Sequence, residues 1–94
     1  MAPLRPSARE SLEQLLTRAA GALAKEPRTR LVVSRDGYRH LVVVSALIRF
    51  VDDVELVADQ SQQVVHMRSS SRLGYWDGGV NHNRLERLRA ALGQ

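Results

Sequence analysis

The segment Arg68 to Asn81 of this 94-residue chain, RSSSRLGYWDGGVN, packs cations, hydroxyls, aromatic rings and a carboxylate into one stretch where they could do chemistry. Arg68 and Arg72 flank Ser69, Ser70 and Ser71. Tyr75, Trp76 and Asp77 follow, among glycines at 74, 78 and 79. An arginine fork matches a carboxylate or a phosphate. A helix starting just after the segment would add unpaired amides and a partial positive charge that favour anions. An anion site is one reading. The other is structural: Arg68 and Arg72 pair with Asp52, Asp53 or Asp77 to hold a loop down, and the glycines turn it. The spacing matches neither a Walker nor a dinucleotide fingerprint.

Two further chemistries have their residue types here. Ser69 to Ser71, His66 or His82, and Asp77 could supply a nucleophile, a base and an orienting acid. The strand-turn-helix pattern G-x-S-x-G that presents such a serine is absent from the sequence. Asp52, Asp53 and Glu55 with His66 or His82 could hold a divalent ion, since carboxylate and imidazole are suitable ligands. An acidic turn paired with arginines accounts for the same residues, and no catalytic residue or metal ligand is assigned. Tyr38 and His40 stand two apart on one face of a strand, where packing is the default role.

The elements that must position these groups can be read from periodicity. Ser7 and Glu10 have capping-box spacing. Leu12, Leu15, Leu16, Ala19, Ala20 and Leu23 then form one apolar stripe of a helix that Pro27 stops. Thr29 to Ser34 reads as a strand. Asp36-Gly37 is a hairpin turn with both positions at positive φ, and the return strand runs from Tyr38 to about Arg49. Because Leu41 to Ile48 is apolar at both parities, that strand is expected to be covered on both faces or twisted across two environments. Strands near Val54 to Ala58 and Val64 to Arg68 follow, joined by a polar turn at Asp59 to Gln63. Ser69 to Asn81 reads as a loop. A last helix carries Leu85, Leu88 and Leu92, with Asn81 or Asn83 as its cap and Gly93 as its end. The expected fold is α+β: an N-terminal helix, a four-stranded, mainly antiparallel sheet and a C-terminal helix, with both helices on one face. Residues 1–6 form a tail and 7–94 one compact domain.

Composition removes several classes of function. There is no cysteine, which excludes disulfides, thiolate metal sites and a cysteine nucleophile. No apolar run reaches signal-peptide or membrane-spanning length, so no membrane is expected and the reading is cytoplasmic. The net charge of +4 comes from an arginine-rich basic set in which Lys25 is the sole lysine. These charges are spread along the chain with acids between them, a solvated-surface pattern rather than the one-sided cluster of a nucleic-acid binder.

FVDDVEL at 50–56, RSSSRLGYWDGGVN at 68–81 and RLERLR at 84–89 together resemble the domain-of-unknown-function 1499 family. Its pattern runs roughly FVDDVEF, then VRSASRxGYSDxGVNRxRxExLR, so the similarity covers the last half of the chain in order and spacing. The resemblance places the family's signature positions on Asp52, Asp53, Glu55, Arg68, Ser69, Ser71, Arg72, Gly74, Tyr75, Asp77, Gly79, Asn81 and Arg84. It implies an α+β domain and supplies no activity. Longer members begin with a cysteine-containing CPxSPNCVSS-like segment that has no counterpart here; if that segment carries function, it is lost here or falls to a partner. Trp76 stands where serine is usual and His82 where arginine is common.

The combined expectation is a binding or protein-interaction module without catalysis or cofactor. Its candidate ligand contacts are Arg68, Ser69, Ser71, Arg72, Tyr75, Asp77, Asn81 and Arg84, with Asp52, Asp53 and Glu55 as signature acids. The partner is an anionic ligand or a protein, and a homodimer is left open. A small hydrolase using the same segment and a nucleic-acid binder are the alternatives.

Overall fold

The computed structural model describes residues 1–74 and 77–94. Six elements follow one another: α1 (Leu12–Ala24), β1 (Thr29–Arg35), β2 (Tyr38–Val44), β3 (Val51–Asp59), β4 (Val64–Ser71) and α2 (Val80–Ala91). The strands form one antiparallel meander in the order β1-β2-β3-β4. Its connections are too short for a parallel crossover. The α+β expectation, with its helix, four-stranded antiparallel sheet and helix, holds.

The apolar stripe of α1 is buried throughout, from Leu12 to Leu23. It packs with Leu85, Leu88 and Leu92 of the C-terminal helical segment against one sheet face, to which β2 gives Leu41 and Val43, β3 gives Val54 and Leu56, and β4 gives Val65. Strand alternation then fixes every other side chain on the opposite, helix-free face. That face carries Tyr38, His40 and Val42 of β2, Asp53, Glu55 and Val57 of β3, and His66, Arg68 and Ser70 of β4. β1 buries no side chain fully and shifts register between Leu31 and Val33.

Several boundaries differ from the sequence reading. α1 starts at Leu12 with Ser11 as its N-cap, and the capping box is Ser11 with Gln14. Ser7 and Glu10 do exchange bonds, but Arg9 at φ 68° breaks the backbone between that turn and the helix. At the hairpin only Gly37 of the Asp36-Gly37 pair has positive φ, 74°. β2 ends at Val44 rather than near Arg49. Residues 45–50 form a loop, closed by Ser45 accepting from the Phe50 amide and turned by Arg49 at φ 64°. β3 consequently begins earlier, at Val51, and β4 extends through the three serines to Ser71, which pairs with Asp52. α2 is capped by Gly79 at φ 86°, so Asn81 and Asn83 lie inside the helix. Gly93 ends it as expected, with the Gly93 and Gln94 amides returning to Ala90 and Arg89.

Leu4, in the segment read as a tail, is fully buried and forms a two-bond antiparallel bridge with Val65 on the outer edge of β4. Among the described residues no helix is long and apolar enough to cross a membrane.

Candidate functional site

Alternation within β3 sends its neighbouring acids to opposite faces, and the signature residues split accordingly. On the helix side, Asp52 Oδ2 accepts from Arg84 Nη2 at 3.1 Å. Arg84 Nη1 also donates to the Ser69 hydroxyl at 3.0 Å and to Asn81 Oδ1 at 2.5 Å. The Ser69 hydroxyl in turn donates to Asn81 Oδ1 at 2.5 Å. Asn81 Nδ2 donates to Asp77 Oδ2. Asp52, Asn81 and Arg84 are buried. One chain of polar contacts therefore runs from β3 through α2 and β4 to the turn before α2. A buried guanidinium needs such partners because desolvating it unpaired costs several kcal/mol. Arg84 Nε is left buried without a hydrogen-bond partner among the described residues.

Asp77 also caps α2 from two residues before its N-cap. Its carboxylate accepts from the amides of Gly79 at 2.9 Å and Asn81 at 3.1 Å. The Asn81 side chain and amide, then Gly79, hold the Asp77 carboxyl below the usual range. An internal carboxylate already takes the amides that the sequence reading offered to a ligand.

The helix-free face carries a second set. Arg72 grips Asp53 with two bonds of 2.9 Å, and His40 Nε2 lies 2.8 Å from the same carboxylate. Arg72 first, and His40 after it, draw the Asp53 carboxyl down to about 2. Tyr38 donates to Glu55 at 2.7 Å, a bond that raises the phenol's own pKa. Arg35 stacks over the Tyr38 ring, 4.7 Å from its centroid. Arg68 reaches Glu55 only at 3.8 Å, with its side chain 74% exposed. Ser71 accepts from the Leu73 amide and shapes the turn.

The structure thus brings together Asp52, Ser69, Asp77, Asn81 and Arg84, and separately Asp53 with Arg72 and Glu55 with Arg68. Arg68 and Arg72 do not reach Asp52 or Asp77. Tyr75 and Trp76 lie outside the described residues. Among the described residues no serine bonds a histidine; His66 pairs instead with Asp59 at 2.9 Å, which brings that carboxyl to about 2. No three metal-ligating side chains converge among the described residues.

Sequence reasoning missed the surface beside the first network. Residues 45–50 and the start of α2 border an open concavity of about 570 Å³, lined by Ala46, Leu47, Ile48, Phe50, Gly78 and Val80 with the edges of Ser45, Asp52 and Asp77. Leu47 is 94% exposed and Ile48 67%. No Gly, Pro, Asn or Asp marks this loop, so its apolar residues read as more strand.

The sequence profile of a protein family of unknown function, DUF1499, matches residues 1–92. The chain belongs to that family. Membership reaches well beyond the segments that carry the resemblance and takes in α1 and Leu4. No curated protein and no solved structure gives a match. Within DUF1499 terms, the signature residues of this chain make one buried polar network and one ion-paired sheet face.

Proposed function

We propose that this domain is a non-catalytic protein-interaction module whose contact surface joins the 45–50 loop to the Asp77–Val80 end of the 68–81 segment. The observation that carries this reading is the apolar concavity of about 570 Å³ with Leu47 and Ile48 standing almost free at its rim. Adjacent large aliphatic side chains this exposed lose favourable burial unless something covers them. The concavity suits an apolar anchor side chain of a partner, the usual energetic centre of an interface.

An anion at the 68–81 segment draws less support. Arg72 is already held by a carboxylate in a bidentate pair, Arg68 leans toward Glu55, and the Gly79 and Asn81 amides at the start of α2 are taken by Asp77. Ser69 speaks for a non-catalytic role, because its hydroxyl is shared between Asn81 and Arg84 and meets no base among the described residues.

The test is affinity capture with the wild-type chain and the Leu47→Glu/Ile48→Glu variant, followed by titration of each captured protein in purified form. A purified partner that binds wild type, is lost by the double variant and is retained by Arg68→Gln is the expected result. Capture that yields no partner sensitive to the apolar loop overturns the reading.

A further inference from the structure

A second concavity, of about 340 Å³, opens on the helix-free face where β1 meets the 45–50 loop. It is lined by Arg28, Arg30 and Arg49 over a floor of Val42 and Val44. Six arginines, at 18, 39, 68, 72, 84 and 87, each have a carboxylate of this chain. The three around this concavity have none among the described residues, and no acid lines it. Asp53, opposite Val42 across the sheet, is held by Arg72 and His40.

The backbone places these cations deliberately. Arg28 and Arg49 stand at φ 55° and 64°, a region that non-glycine residues seldom enter and that recurs at ligand sites. Arg28 is anchored further: its Nε donates to the Val44 carbonyl at 2.9 Å, and its own carbonyl accepts from the Val44 amide at 3.0 Å. Neither terminal nitrogen of that anchored guanidinium has a partner among the described residues. Arg30 pairs with Val42 across the hairpin and so projects from the same face. Three like charges around one hollow repel one another, and a bound anion of more than one charge removes that repulsion.

We propose that Arg28, Arg30 and Arg49 form a binding site for a phosphate monoester group. Guanidinium forks suit the oxygens of a phosphate, and the volume is at the small end of ligand sites. The valine floor accommodates carbon attached to the phosphate. The same chemistry is offered by a free phosphorylated small molecule and by a phosphatidic acid headgroup, beside which Leu47 and Ile48 would meet acyl chains. The site shares no side chain with the apolar concavity except through the loop that carries Arg49, and it stands whether or not that surface binds a protein.

The experiment is calorimetric titration of inorganic phosphate at constant ionic strength into wild type, Arg30→Gln, Arg49→Gln and Arg9→Gln. It is joined by co-sedimentation of the same proteins, and of Leu47→Glu/Ile48→Glu, with phosphatidylcholine vesicles containing phosphatidic acid. All the substituted arginines are exposed, so folding is checked by unchanged melting. Saturable binding weakened about tenfold or more by Arg30→Gln and Arg49→Gln, but not by Arg9→Gln, is the expected result. If that pattern is seen with phosphate but not with vesicles, the group is taken from solution. If it is seen with vesicles and is also lost in the Leu47→Glu/Ile48→Glu variant, the group is a lipid headgroup. Absence of saturable binding in both arms, or an equal loss in Arg9→Gln, overturns the site.

Discussion

Asp52 and Asp53 are chain neighbours that serve opposite faces of the sheet: Asp52 meets Arg84 of α2 at 3.1 Å among buried residues, and Asp53 meets Arg72 at 2.9 Å on the helix-free face. Two acids of identical type therefore hold different parts of the molecule. Their loss should have different consequences.

Arg84→Ala removes one partner of a buried pair and also the donor to Ser69 and Asn81. It should lower unfolding free energy by about 3–5 kcal/mol, since Asp52 is then buried with an uncompensated charge. Urea denaturation followed by circular dichroism measures this. By contrast, Arg72→Ala acts on a side chain 53% exposed and should cost no more than about 1 kcal/mol. A large shift for Arg72→Ala with little for Arg84→Ala would reverse the assignment of roles.

Asp53 also sets part of the acid limb of stability. The Arg72 guanidinium and then His40 hold its carboxyl at about 2 when folded, below the ordinary aspartate value. The unfolded chain thus takes up the proton first, and the contribution is complete above about pH 4 and disappears as pH falls toward 2. Melting temperature measured from pH 6 to pH 2 should fall less steeply over that window in Asp53→Asn than in wild type. Parallel curves would show that the Arg72 and His40 contacts carry no stability.

The buried start of the chain makes its own prediction. Leu4→Ala should cost about 2–5 kcal/mol, the range for emptying a filled core position. A change near zero by denaturant titration would mean that the Leu4–Val65 bridge opens freely in solution.

Self-association can be checked independently. The valines of the helix-free face are interspersed with ion pairs, so the strongest apolar motive for dimerisation lies in Leu47 and Ile48. Sedimentation velocity at micromolar concentration should show any dimer dissociating in Leu47→Glu/Ile48→Glu. A dimer indifferent to that change must use another surface.

The helices and the strand order were legible because leucine spacing and the short turns leave few alternatives. The ends were not. Ser7 and Ser11 both offer capping-box spacing, and only the left-handed turn at Arg9 decides between them. The serines at 69–71 look like loop residues, yet Ser69 lies opposite Val54 and faces the polar network, so tertiary contact overrides local preference. The density of pairing residues left ion pairs and an anion site both open for 52–55 and 68–72, where the structure pairs Arg72 with Asp53 and sets Arg68 near Glu55. It could not assign partners, because choosing between Arg72 and Arg84 for Asp52 requires knowing the parity of β3 and β4 together.

β1 adds no fully buried side chain to the core and has a register shift midway. Being an edge strand with no fully buried side chain, β1 should exchange its amides faster than β3, which is held on both sides. Arg30 lies on this strand and Arg28 immediately before it. A phosphate held there would also pin the β1 edge of the sheet, and deuterium uptake by β1 would slow as the site filled.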